Sequence, residues 1–400
     1  MIASPVERLA ETHPDLEIWW DSSPLVYRRW ADKMLTAAGP TGRPVLEAQL
    51  RRLYDEDDPA RSVFRGCTTN PPLSWQAIQA DLPGWTAWVD ALIEQDPGLG
   101  AQELAWRTYK EVVRRGAEMY RPVFEASGGR FGFISGQLDP RLLTETDRMI
   151  AEAVELHALA PNVMIKVPAS REGIDVVREL TARGIPTNTT VCFTLPQIMA
   201  SARAAMDGIA LARASGVDLS RWRAVITMMI GRLTENEALD VQASRRGMGL
   251  TWQDRHWFGI AVFRRAYRML SEGGYASKLL ACSLRDGPLV AGKRRFWDVE
   301  LIAGGGIVYT CPPYVLEPLF AIGDGLSFGS EIERPVPGDM LDRMLRIPYC
   351  LQAYEPNGLE LEQFNDHPAT IDTVRTFAQG FASLEAFALE RREQTARVPA

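Results

Sequence analysis

Lysine is the residue this chain nearly does without. Lysine and arginine total 44, yet the only lysines are Lys33, Lys110, Lys166, Lys278 and Lys293. Genome base composition is one account of so strong a preference for arginine. Histidine is also scarce. His13, His157, His256 and His367 include no pair spaced four apart, so a zinc-hydrolase helix is not expected. The cysteines (Cys67, Cys192, Cys282, Cys311 and Cys350) are odd in number, widely spaced and without a CxxC. That argues against a disulfide framework or a zinc site. Positive charge is not in excess: the net charge is −7 and the pI about 5.4, so no global basic field attracts nucleic acid. No apolar run reaches the ~18 residues of a membrane helix. The opening Met1-Ile2-Ala3-Ser4-Pro5-Val6-Glu7 has no signal-peptide core. These absences predict a cytoplasmic protein with neither a nucleic-acid nor a membrane partner.

What the chain does have is core. Of its 400 residues 46% are hydrophobic and 24% charged, enough for a large buried interior. Short apolar runs alternate with helical stretches. The runs are Ile18–Asp21, Val63–Thr68, Phe131–Leu138, Asn162–Pro168, Thr187–Phe193, Ala224–Ile230, Lys278–Leu284 and Gly306–Cys311. An acidic turn, Asp55-Glu56-Asp57-Asp58-Pro59, separates the first two. Helices are expected over about 141–159, from Ser170 to Gly184, from Leu195 to Ser215, and over about 369–391, where Val374, Phe377, Phe381, Leu384 and Phe387 form the apolar content. Eight strands with helices between them predict an α/β fold, a (β/α)8 TIM barrel with additional helices and a C-terminal helix. No linker or low-complexity tract interrupts the chain. One domain over residues 1–400 is expected, with core strands at about 18–312 and a helical segment at about 340–400.

Two motifs invite over-reading. Gly287 to Lys293 spells G-x-x-x-x-G-K, but Arg294 follows where a phosphate loop needs Ser or Thr, so it is read as chance. No GxGxxG follows a strand, and a dinucleotide is not supported. The apolar insert from Trp252 to Leu270 could be core or a dimer contact, and core is the simpler reading.

The run Asn162-Val163-Met164-Ile165-Lys166-Val167-Pro168 is different. It reads as a strand buried on both faces, with a lysine where lysine seldom sits. Such a lysine often snorkels to the strand end. A desolvated lysine can also lose its proton, as arginine cannot, and its free amine attacks carbonyls. A Schiff base needs a dry amine, a group to remove water from the carbinolamine, and another near the bond that breaks. Asp21, Gln137, Asn188 and Thr190 lie at or near strand ends and are the polar groups expected beside Lys166. Arg232 and Arg285 each follow a strand. One such arginine is more often a surface salt bridge; two, with Ser283 nearby, favour an anion site.

Taken together these stretches resemble the transaldolase family. The resemblance rests on Trp20-Asp21, Thr68-Thr69-Asn70-Pro71, Asp139-Pro140-Arg141-Leu142, Met164-Ile165-Lys166-Val167-Pro168-Ala169, Gly173-Ile174, Asn188 with Thr190, Gly231-Arg232 and Ser283 to Arg285, in the family's order along nearly the whole chain. The insert after the sixth strand is similar to that of the longer bacterial members. The resemblance implies a barrel without metal or organic cofactor and with Lys166 as the Schiff-base residue. It further implies Asp21 as the proton carrier for C3–C4 cleavage, and Thr190 as the holder of a catalytic water. Asn70 and Asn188 would grip a dihydroxyacetone unit, with Thr68 at the site. Arg232, Arg285 and Ser283 would take phosphate, and Thr227 stands where the family usually has serine. Substrates would be small sugar phosphates, and the protein a monomer or homodimer.

Two positions depart from the family. Gln137 stands where the family has a catalytic glutamate, and an amide can hold a water but cannot exchange a proton with it. Fructose-6-phosphate aldolases also carry Gln there, but with a tyrosine on strand six, where this chain has Met229. Tyr309 on strand eight is the substitute the sequence suggests. The implied activity is transfer of a three-carbon dihydroxyacetone unit from a ketose phosphate to an aldose acceptor, by default in the pentose phosphate pathway. Alternatives are an aldolase, a transferase of specialised metabolism with another acceptor, and a non-catalytic sugar-phosphate binder.

Overall fold

The computed structural model describes residues 2–55, 57–58, 61–290 and 292–397. Glu56 and Pro59 of the acidic turn, and Ala291 of the Gly287–Lys293 stretch, lie outside them. Eight strands close a parallel barrel: β1 (Glu17–Asp21), β2 (Phe64–Thr68), β3 (Phe133–Gln137), β4 (Val163–Pro168), β5 (Thr187–Cys192), β6 (Ala224–Met229), β7 (Lys278–Cys282) and β8 (Val308–Cys311). They follow one another around the ring, and β8 pairs with β1. The (β/α)8 expectation holds, with strand ends shifted by at most two residues. β8 starts at Val308 because Gly304 turns the chain at φ +88° just before it. All residues of β1, β3, β4, β5, β6 and β8 are buried, as expected for strands lined by helices outside and by each other's side chains inside.

Register decides which side chains enter the barrel. Asp21 lies level with Thr68, Thr68 with Ser135, Gln137 with Lys166, Lys166 with Asn188, and Met229 with Cys282. Residues two apart share a face. Trp20 faces outward and packs on Tyr27 and Trp30 of the following helix. Trp19 and Asp21 therefore face in. The N-terminal end of the barrel is closed by charge. Glu17 pairs with Arg223 and with Lys278 at 2.6 Å, and accepts a hydrogen bond from the Trp19 indole at 3.0 Å. Burial pushes the Glu17 carboxyl up, but the two cations overcome it and hold it below the usual range.

Most helices keep their expected places, but the one expected from about 141 starts at Thr146, after a separate 3-10 turn at Pro140–Leu142. Ser170 accepts from the Gly173 N–H at 2.9 Å and starts the helix Arg171–Ala182. The insert after β6 supplies core: Phe258, Phe263 and Leu270 are buried, Trp257 and Tyr267 pack against the same core, and Trp252 stacks on His256 and packs on Trp297. His256 in that insert hydrogen-bonds Asp298 at 2.8 Å. Gly287–Lys293 belongs to a small antiparallel hairpin, Leu289–Val290 with Lys293–Arg294, rather than to a strand–loop–helix phosphate loop. The last helix, Pro368–Arg397, is longer than expected. It packs on the helices Pro71–Ala80, Leu82–Gln95 and Ala101–Ala126 and against β5. Gly380 permits this: a Cβ there would lie 2.5 Å from the Pro72 nitrogen. No helix among the described residues is long and apolar enough to cross a membrane.

Candidate active site

The C-terminal ends of the strands surround a cavity of about 620 Å³. Lys166 and Asp21 form its deep end. Lys166 is 1% exposed, and its Nζ donates to the Thr69 carbonyl at 3.2 Å. That carbonyl comes from the turn after β2, where two prolines force the chain out of the strand. Asp21 Oδ1 accepts from Thr68 Oγ1 at 2.8 Å, and Thr68 Oγ1 also shares a hydrogen bond with Thr310 Oγ1. Burial raises the Asp21 pKa, opposed by the Lys166 charge and by hydrogen bonds from Thr68 and Cys282.

Two amides flank the lysine. Asn188 donates through Nδ2 to Ser135 Oγ at 2.9 Å and accepts at Oδ1 from Thr227 Oγ1 at 2.6 Å. Both ends of the amide are thereby fixed. Asn70 caps the helix Pro71–Ala80, accepting from the Leu73 N–H at 2.9 Å, and lines the cavity. On the strands either side of β4, Gln137 Oε1 and Thr190 Oγ1 are buried without a partner among the described residues. The Gln137 backbone N–H donates to Tyr109 Oη at 2.7 Å. Thr190 sits at an irregularity: the β5–β6 register shifts between Thr189 and Cys192, and Val191 has φ 51°. A β-branched residue held there costs of order 1–3 kcal/mol.

Two arginines, after β6 and β7, line the same cavity. Arg232 lies with its guanidinium 5.4 Å from the Phe377 ring centre and makes no ion pair among the described residues. Burial lowers its pKa. Arg285 is held by Glu235 at 2.7 Å and by the Ser283 carbonyl at 3.0 Å. Burial lowers its pKa as well, but the Glu235 hydrogen bond and charge outweigh that and raise it. Ser283 has φ 58°, and its carbonyl also accepts from the Gly231 N–H at 3.0 Å. A Cβ on Gly231 would lie 2.3 Å from that oxygen, so the approach of the two strand ends requires glycine.

Thus Asp21, Asn70, Lys166, Arg232, Ser283 and Arg285 line one cavity, while Thr68, Gln137, Asn188, Thr190 and Thr227 are buried in the strands that frame it. Tyr309 is a correction. It alternates with inward-facing Thr310, points out of the barrel, and donates to the Val299 carbonyl at 2.9 Å. It cannot serve a relay inside. Sequence reading missed Cys282, Glu235, Tyr314, Asp372, Thr373 and Phe377 as lining residues. For Cys282, strand alternation carried the signal; its Sγ stands 3.9 Å from Asp21 Oδ2. For Asp372, Thr373 and Phe377 no local pattern shows that the last helix folds over the mouth.

A closed parallel barrel with a cavity at the C-terminal ends of its strands, lined by a buried lysine and aspartate, defines a (β/α)8 protein. The comparisons are more specific. The chain belongs to the transaldolase/fructose-6-phosphate aldolase family, whose model matches residues 58–386. It is 33% identical over 209 residues to "Transaldolase 1" of Streptomyces avermitilis, covering 52% of this chain and 54% of that one. It is 31% identical over 209 residues to a transaldolase of Mycobacterium marinum (52% and 55%). It is 32% identical over 219 residues to one of Thiobacillus denitrificans (53% and 58%). The chain spans about half the length of the curated relatives it matches.

Proposed function

We propose that this protein transfers a dihydroxyacetone unit from a ketose phosphate to an aldose acceptor through a Schiff base on Lys166. The carrying observation is that Lys166, Asp21, Arg232 and Arg285 line the same cavity. Lys166 attacks the ketose carbonyl as the free amine, and the carbinolamine loses water to give an iminium. Asp21 takes the proton from the C4 hydroxyl. The C3–C4 bond breaks, its electron pair enters the iminium, and the aldose phosphate leaves. The enamine that remains attacks an acceptor aldehyde, and Asp21 returns the proton. Asn70 and Asn188 hold the three-carbon hydroxyls. Thr68 orients Asp21, and Thr227 fixes Asn188. Arg232, Arg285 and Ser283 take the phosphate. Gln137 and Thr190 hold the water lost and regained by the imine; their unpartnered oxygens support this.

A second reading, an aldolase that releases free dihydroxyacetone, is favoured by Gln137. One experiment separates these from a mere binder. The protein is incubated with fructose 6-phosphate, reduced with borohydride, weighed and peptide-mapped, with products followed with and without erythrose 4-phosphate. Transfer predicts an adduct on Lys166 and turnover that needs the acceptor. Dihydroxyacetone released without acceptor supports the aldolase. Ligand-induced stabilisation without adduct leaves only binding.

A further inference from the structure

The last helix brings a row of unpartnered polar side chains to the site. Thr370 and Thr373 are three apart on this helix and so share one face, and His367 immediately precedes its first turn, its carbonyl accepting from the Thr370 N–H at 2.8 Å. All three are at least 97% buried. Neither nitrogen of His367, nor the hydroxyl of Thr370 or Thr373, has a partner among the described residues. This is not how threonines elsewhere in the helix behave. Thr376 and Thr395 donate to the carbonyls of Asp372 and Arg391, each at 2.9 Å, the usual resort of a helical threonine. Thr373 lines the catalytic cavity. At the far end the faces of the His367 ring are covered by Phe193, 6.1 Å away and nearly parallel, and by Tyr349 at 5.1 Å. Only the ring edges, which carry the nitrogens, remain for a small polar guest. Phe193 lies three residues beyond Thr190 on the same chain segment, and the helix packs against β5.

Leaving so many buried donors and acceptors dry would cost about 1–3 kcal/mol for each. Positions three apart on a helix rise about 4.5 Å, close to what one water spans with two hydrogen bonds. We propose that His367, Thr370 and Thr373 form with Thr190 an internal hydrated track. It passes protons to and from the water at Gln137, the work a carboxylate at that position would do. This rests on the Schiff-base reading. When the carbinolamine collapses, the nitrogen lone pair forms the C=N bond and the C–O bond breaks. The departing oxygen takes one proton from the track, which solvent replaces; hydrolysis reverses each movement. Burial lowers the His367 pKa to about 4, so the ring is neutral at neutral pH and offers one donor and one acceptor, as a relay needs.

The test uses the full chain with Thr370→Val, Thr370→Ser and His367→Phe. The track predicts that Thr370→Val and His367→Phe slow the appearance of the borohydride-trapped fructose 6-phosphate adduct ~10-fold or more, within the range for lost acid–base assistance, and lower kcat with little change in KM. Thr370→Ser restores the rate. Without ligand, both apolar variants melt no higher than wild type, because water loses partners. An adduct formed equally fast by Thr370→Val overturns the track, as does a serine variant that rescues nothing. So does a higher melting temperature in both apolar variants, which marks the row as dry. No adduct on the wild-type chain sinks the Schiff-base reading itself, and the track with it.

Discussion

Gln137→Glu asks whether the missing carboxylate limits the reaction. Gln137 is 2% exposed, its Oε1 has no partner among the described residues, and it sits level with Lys166 on the neighbouring strand. Glutamate is nearly isosteric, so geometry is preserved while a titratable group is added. General acid–base assistance is typically worth ~10²–10⁴-fold, or about 2.7–5.4 kcal/mol of barrier at 1.36 kcal/mol per decade. If the water relay limits turnover, the lower end, ~10²-fold in kcat, is the gain expected, since the track already supplies part of the effect. Stability moves the other way. Burying a carboxyl costs about 1–3 kcal/mol when it is imperfectly solvated. Its folded pKa will lie above the unfolded ~4.3. Below that pH both states are protonated and variant and wild type differ little. As pH rises toward the folded pKa the unfolded state ionises first, so the variant's deficit grows. Steady-state transfer assays give kcat, and melting curves from pH 4 to 8 give the deficit. An unchanged or lower kcat, with the stability signature present, refutes the idea that position 137 limits the relay.

Other perturbations separate the remaining roles. Asp21→Asn should still form the trapped adduct on Lys166 but lower transfer by ~10²–10⁴-fold; loss of both would place Asp21 in imine formation instead. Gly231→Ala puts a Cβ against the Ser283 carbonyl and Arg285. It should cost about 1–3 kcal/mol and raise KM about tenfold for a phosphorylated ketose while leaving KM for its unphosphorylated analogue alone. Equal effects on both would deny the arginine wall a phosphate role. Glu17→Gln should destabilise the chain at pH 7 by roughly 3 kcal/mol, because Arg223 and Lys278 lose their shared partner. Glu17 is held below its ordinary pKa. Its contribution is therefore full above the unfolded ~4.3 and disappears as pH falls through the folded value, so melting curves of the two proteins should converge in acid.

The barrel was legible because each strand is a short apolar run set between turn signals, and because a parallel sheet buried on both faces writes itself as continuous hydrophobicity. The site was partly legible for the opposite reason: Lys166, Asp21 and Asn188 break that hydrophobicity at strand ends. Tyr309 shows the limit. Its position one residue from Thr310 makes it an outward residue, a point alternation contains but a search for any nearby phenol overlooks. Arg285 shows another. Its place after β7 is readable, yet its tie to Glu235 depends on how a turn after β6 meets the end of β7. Least readable was the roof. Val374, Phe377, Phe381, Leu384 and Phe387 announce an amphipathic helix, but amphipathicity does not say which groove receives it. Gly380 against Pro72, and the packing on the three helices after β2, decide that.

The two ends of the barrel are built on opposite principles. At the N-terminal end Glu17, Arg223, Lys278 and the Trp19 indole satisfy one another and tie β1 to β7 and to the residue before β6. At the C-terminal end Arg232 has no counter-ion, and Gln137 and Thr190 have no partner, among the described residues. The only non-glycine residues with positive φ among them, Val191 and Ser283, flank this end. Such unmet demand costs stability that the closed end and the large core can offset. A charged, polyhydroxylated guest would meet it: phosphate oxygens for Arg232, hydroxyls for the amides, a water for Gln137 and Thr190. Ligand-induced stabilisation should therefore be larger for a sugar phosphate than for the free sugar or phosphate alone, since only the phosphorylated sugar offers both the phosphate oxygens and the hydroxyls.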